Sequence, residues 1–203
     1  MKIIDMHCDT ISELTDTART GAAGRGDGLL KNGGQLDLRR MRQSGYLLQN
    51  FALFVDIGKY EPWERVCELY EVYRWELEKN RELIAPVLCY EDILQNEAGG
   101  KMSAFLTVEE GAVCGGSIER LRELYGMGVR MMTLTWNYPN ELGWPAACRG
   151  PAQGKTDTGS AKTQEKIQGA MWPGVGKENA EDGLTETGRE FVEEMERLGM
   201  IPD

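Results

Sequence analysis

The sequence holds a single histidine, His7, two residues before the acid Asp9. In an extended strand, side chains two positions apart project to the same face, so His7 and Asp9 can reach one cation together while Cys8 points away. An imidazole nitrogen beside a carboxylate oxygen suits zinc or a similar divalent ion. Taken alone the pair is a weak signal, because a satisfied histidine near a turn is spelled the same way. Glu109 and Glu110 follow the apolar run Ser103 to Val108 and precede Gly111. A carboxylate there can bridge two cations, and paired metals activate a shared water and polarise a carbonyl. An isolated Glu-Glu-Gly is otherwise a solvated acidic turn. The sequence assigns no separate catalytic acid or base.

These groups need elements to place them. Lys2 to His7, with β-branched Ile3 and Ile4, reads as a buried strand that delivers its C-terminal end to a site, and Ile11 to Leu14 begins a helix. Thr20 to Gly34 carries six glycines and reads as a long mobile loop. Leu36 to Arg42 is amphipathic, and Tyr46 to Val55 is dense enough in apolar and aromatic residues for a second buried strand. Pro62 opens a long helix whose predicted apolar face is Val66, Cys67, Tyr70, Tyr73 and Leu77. A short strand at Ile84 to Cys89, a brief helix at Glu91 to Gln95 and the strand Ser103 to Val108 follow. Ser117 caps a helix to about Tyr125, Val129 to Leu134 is a strand, and Thr185 caps a helix that Gly199 ends before a strand from Met200 to Asp203.

Strand and helix therefore alternate, the pattern of a parallel sheet with right-handed crossovers, and an α/β barrel is the preferred fold. Barrel enzymes place their chemistry at the C-terminal ends of strands, where His7, Asp9 and Glu109 all fall. Residues 150–182, rich in Gly, Lys, Thr and Gln, read as a flexible insertion in one domain spanning 1–203. Within it Gly150 to Thr156, G-P-A-Q-G-K-T, is one residue short of a phosphate-binding loop and lacks the strand and helix that such a loop joins.

Composition removes several classes. With 33 acidic against 23 basic residues the chain carries a formal charge of −10, which repels nucleic-acid phosphates and anionic lipid surfaces. No apolar run reaches the ~20 residues that span a bilayer. The N-terminus lacks a secretion-signal pattern, and Cys8, Cys67, Cys89, Cys114 and Cys148 form no C-x-x-C pair, so reduced thiols and a cytoplasmic location are expected.

Four ordered segments, I-I-D-M-H-C-D-T (3–10), F-L-T-V-E-E-G (105–111), G-V-R-M-M-T-L-T-W-N (128–137) and G-L-T-E-T-G-R-E-F-V (183–192), resemble the membrane dipeptidase, or renal dipeptidase, family of zinc metallopeptidases. The resemblance runs to about residue 148 and resumes at Gly183. It implies a (β/α)8 TIM-type barrel holding two zinc ions and hydrolysing dipeptides, often with a D-residue at the C-terminal position. It implies His7 and Asp9 as ligands of the first zinc and Glu109 as the bridge between both. Glu110 stands where the family usually has glycine. Trp136, beside Asn137 in the substrate-contacting segment, stands where many members carry a histidine.

The family's two further zinc-binding histidines and its catalytic aspartate lie on later strands, beyond Asp203. A full barrel takes about 250 residues, so 203 residues are expected to form a truncated barrel of about five strands. Such a sheet has open edges that invite association, including a homo-oligomer. Two other readings stand beside the dipeptidase: an inactive fragment or non-catalytic binding module, and another barrel-type metal-dependent hydrolase. Asp9 argues against the last, since many of those carry His-x-His on the first strand.

Overall fold

A computed structural model describes residues 1–20, 28–145 and 183–203. The expected insertion 150–182, the G-P-A-Q-G-K-T segment and Cys148 lie outside the described residues. The elements run β1 (Ile3–Asp5), α1 (Thr10–Thr20), α2 (Leu38–Ser44), β2 (Tyr46–Phe54), α3 (Pro62–Lys79), β3 (Ile84–Pro86), α4 (Tyr90–Ala98), β4 (Met102–Glu109), α5 (Ile118–Gly126), β5 (Val129–Thr133), α6 (Glu186–Leu198) and β6 (Ile201–Pro202). A 3-10 turn, Gly111–Cys114, follows β4.

All strand pairs in the sheet are parallel. Five strands form the path β1-β2-β4-β5-β6, with β3 paired to β4 off that path. Ser103 and Ala104 pair with both β2 and β3, whereas Leu106 to Glu109 pair with β2 and β5. The short β3 and the longer β5 therefore share one edge of β4 in succession. The expected half-barrel of about five strands is present, and β3 adds a sixth, three-residue strand. The outer edges of β1 and β6 have no strand beside them among the described residues, and Ile4 and Ile201 on them are half-exposed.

The sheet packs its helix-facing side into one core, in which Phe51, Leu53, Leu69, Leu106, Val108 and Phe191 are fully or almost fully buried. Removing each such side chain from water contributes roughly 1.5–3 kcal/mol, which holds the helices to the strands. Helix starts follow the sequence signals. Asp37 caps α2, Ser117 caps α5 and Thr185 caps α6, each accepting from a backbone amide three residues on.

Three features differ from expectation. The first strand, expected to be buried over Lys2 to His7, is β1 at Ile3–Asp5 with no residue buried, because its outer edge has no strand beside it among the described residues. On α3 the buried stripe is Val66, Leu69, Tyr73 and Leu77, joined by the charged Arg65 and Glu76, with Cys67 and Tyr70 only partly buried. The charges are buried because each has a task. Arg65 pairs with Asp16 of α1 at 2.6 Å and lies 4.4 Å over the Tyr60 ring, while Glu76 accepts from the amide of Leu29 at 2.7 Å. That second bond also corrects the long glycine-rich loop: residues 28–34 are anchored against α3, with Leu29 fully buried. Residues 21–27 lie outside the described residues.

Candidate metal centre

His7 and Asp9 leave the end of β1, and β2 holds that exit in place. The amide of Asn50 donates its side-chain N–H to the carbonyl of Met6 at 2.8 Å, and the Ala52 backbone N–H donates to the carbonyl of Cys8 at 3.0 Å. Immediately after Asp9 the chain turns into α1, with the Glu13 N–H donating to the Asp9 carbonyl at 3.0 Å. The backbone around His7 and Asp9 is thus tied to β2 at Met6 and Cys8 and to α1 at Asp9.

Glu109 ends β4. Its carbonyl accepts from the Val55 N–H at 3.3 Å, and its rung of the sheet aligns it with Phe54 on β2 and Thr133 on β5. The sheet twist brings it to His7: Nε2 of His7 lies 3.4 Å from Oε2 of Glu109 and 3.5 Å from Oδ2 of Asp9. One ligand atom from each of the three falls within 4.8 Å of the others, the only such group of three or more His, Cys, Asp or Glu among the described residues.

The cluster gathers negative charge around one imidazole. Burial pushes the Glu109 carboxyl above the ordinary carboxylate value, the charges of Asp9 and Asp203 push it further, and His7 opposes them. Asp203 stands on the same rim, its carboxylate accepting from the Thr133 hydroxyl at 2.7 Å. Several acids around one imidazole repel one another, and a divalent ion among them removes that repulsion. The donor set, one nitrogen and two carboxylates, fits zinc as a three-ligand site with room for water or substrate. Cys8 is not part of it: burial pushes its thiol up to about 11, so it stays protonated at neutral pH.

Trp136 and Asn137 lie in the turn after β5, on the same rim. The Trp136 ring meets the Phe54 ring edge-on with centroids 4.8 Å apart, and Tyr138 is 6.1 Å away. Trp136 is part-buried and Asn137 exposed. An aromatic wall beside a carboxylate-rich cation site can pack an apolar side chain while the charges take the polar end of a ligand.

Phe54 and Asn140 in this region carried little sequence signal, whereas Glu110 was marked by standing where the family usually has glycine. Phe54, the aromatic partner of Trp136, was legible only as the end of a strand. Asn140 is fully buried and gathers the turn: its side-chain N–H donates to the Leu134 carbonyl at 2.7 Å, and its oxygen accepts from Leu142 and Gly143 at 2.8 and 3.2 Å. Glu110 is also fully buried, with φ +112°. That backbone region costs a non-glycine residue on the order of 1–3 kcal/mol. A cavity of about 540 Å³ lies elsewhere, between α1 and α3, and is lined by Leu14, Val72 and Trp75. None of its lining residues is His7, Asp9 or Glu109.

The sequence pattern of the family described as Membrane dipeptidase (Peptidase family M19) matches residues 1–165. Among solved structures, the fold is similar to a dipeptidase described as a metallopeptidase of the same family, at TM-score 0.70 and 22% identity, covering 100% of this chain and 56% of that one. A metallopeptidase from Rhodobacter sphaeroides, liganded with a phosphinate mimic of the dipeptide L-Ala-D-Ala, is similar at TM-score 0.72 and 21% identity, covering 100% and 58%. The probable dipeptidase PvdM from Pseudomonas aeruginosa is similar at TM-score 0.64 and 17% identity, covering 88% and 42%. The present chain thus spans little more than half the length of the first and second of these structures. No helix of the described residues is long and apolar enough to cross a membrane.

Proposed function

The chain belongs to the membrane dipeptidase family, peptidase family M19, and from that premise we propose that it is the metal-binding half of a zinc-dependent dipeptidase site that hydrolyses the peptide bond of a dipeptide. The observation that carries this reading is the convergence of His7, Asp9 and Glu109 to within 4.8 Å from the ends of β1 and β4, two strands that do not pair with each other. His7 and Asp9 would hold a first zinc and Glu109 would bridge to a second. When bound, zinc supplies Lewis-acid polarisation of the scissile carbonyl and acidifies water.

The chain's own residues set the rest. Trp136, braced by Phe54, packs the dipeptide's side chain, and exposed Asn137 offers polar contact beside it. The phosphinate ligand of the Rhodobacter sphaeroides relative makes an alanyl dipeptide the substrate to try first. A cytoplasmic location, expected from the sequence, belongs to the same proposal.

The single histidine favours a second reading, a non-catalytic metal-binding module, because the chain offers no further imidazole for a second zinc. One experiment separates them. The purified 203-residue chain is loaded with zinc and assayed against L-Ala-D-Ala, beside His7→Ala. Hydrolysis that disappears in the variant and on chelation supports the dipeptidase. Zinc binding without hydrolysis supports the module.

A further inference from the structure

We propose that Glu110 is a positioning residue, tying the Trp136–Asn137 turn to the strand that carries Glu109. The inference rests on the reading of Trp136 as a substrate contact, and it concerns how that ring is held.

Among the described residues Glu110 is the only non-glycine with positive φ. Strain of this kind persists where surrounding contacts over-determine it, and it gathers at functional sites. One contact caps the 3-10 turn after β4, and the other leads to the turn after β5. Oε1 of Glu110 accepts from the Asn140 side chain at 2.6 Å and from the Ala112 N–H at 2.9 Å. Asn140 in turn binds the turn at both ends, at Leu134 and at Leu142 and Gly143. Trp136 and Asn137 lie between those ends. The neighbouring Gly111 lets the same turn pass close by, since a Cβ there would sit 2.6 Å from the Leu134 carbonyl oxygen.

The other oxygen, Oε2, is buried without a hydrogen bond of normal geometry. Besides Ala112 and Asn140, the backbone amide of Trp136 faces this carboxyl. A buried carboxyl with an empty oxygen, on a strained backbone, is an unfavourable choice for closing a turn. A glycine at 110 would relieve the strain but leave Asn140 without its acceptor. A glutamine keeps the Oε1 acceptor and removes the charge.

The test follows Trp136 directly. The chain is labelled with 5-fluorotryptophan, its five tryptophan resonances are recorded by fluorine NMR, and Trp136→Phe identifies the one that matters. Glu110→Gly and Asn140→Ala are expected to move the Trp136 resonance in the same direction by more than its linewidth. The double variant should move it no further, because both residues act through one link. Glu110→Gln should leave it in place. Zinc binding, titrated with zinc chloride alone, should keep its stoichiometry in every variant.

A Trp136 resonance that stays put in folded Glu110→Gly, or that moves as far in Glu110→Gln, overturns the proposal. If Glu110→Gly loses the other four resonances through unfolding, Glu110→Ala, which removes the same carboxylate, takes its place: an unmoved Trp136 overturns, a moved one supports. No dipeptide enters this measurement. A chain without peptidase activity therefore overturns the dipeptidase reading and leaves this link standing, and an unmoved resonance does the reverse.

Discussion

Nε2 of His7 and Oε2 of Glu109 stand 3.4 Å apart, although their side chains come from β1 and β4, two strands separated by the whole width of β2. The carbonyl of Cys8 and the carbonyl of Glu109 both accept from backbone amides at the β2 end, Ala52 and Val55. One strand therefore sets the distance between His7 and Glu109.

The first prediction concerns that site. Isothermal titration with zinc should show one equivalent bound by the intact chain. His7→Ala, Asp9→Asn and Glu109→Gln should each weaken it by more than about tenfold, since even an outer-shell partner is worth roughly 10–100-fold and a direct ligand no less. Unchanged affinity in Glu109→Gln would remove β4 from the site.

A second prediction concerns pH. Burial pushes the Asp37 carboxyl up, but hydrogen bonds from Arg40 and Asn32 outweigh burial and hold it below the ordinary carboxylate value. A carboxyl lowered in the folded state contributes stability above its unfolded value, and that contribution is lost as pH falls through the folded one. Urea midpoints should therefore drop below about pH 4 in the parent chain. Asp37→Ala should cost about 1 kcal/mol at pH 7 through the lost helix cap, and flatten that acid-side decline. Equal acid sensitivity in both chains would assign the decline to other groups.

The third prediction tests how α6 docks. A Cβ at Gly188 would collide with the carbonyl oxygen of Leu142, the same oxygen that accepts from the Thr185 N–H. Gly188→Ala should destabilise by roughly 1–3 kcal/mol through overpacking. It should also raise amide exchange at Leu134 and Asp203, whose backbone bonds join β5 to β6 beyond the helix. Protection that survives there would mean α6 can shift without disturbing the sheet.

Much of the fold was legible because each element carried its own local chemistry. Ser117 and Thr185 marked helix starts by the hydroxyls that satisfy free amides, and both act as caps. The strand ends carrying His7, Asp9 and Glu109 were legible from apolar runs that break into polar residues. The buried face of α3 was less so, because Arg65 and Glu76 are charged, and periodicity assigns charge to solvent. Their burial depends on Asp16, Glu68 and the Leu29 amide, partners that lie on other turns and elements.

The sequence by itself determined the alternation of strand and helix, the donor types available to a cation and the limit set by one histidine. These follow from residue chemistry and from spacings of two and three to four, which act over a few positions. Only the tertiary structure decided that β2 separates β1 from β4 yet joins their ends, that Phe54 backs Trp136, and that a strained Glu110 reaches Asn140. Those relationships depend on sheet order, twist and register, which arise when distant segments pack and leave no mark on the residues between them.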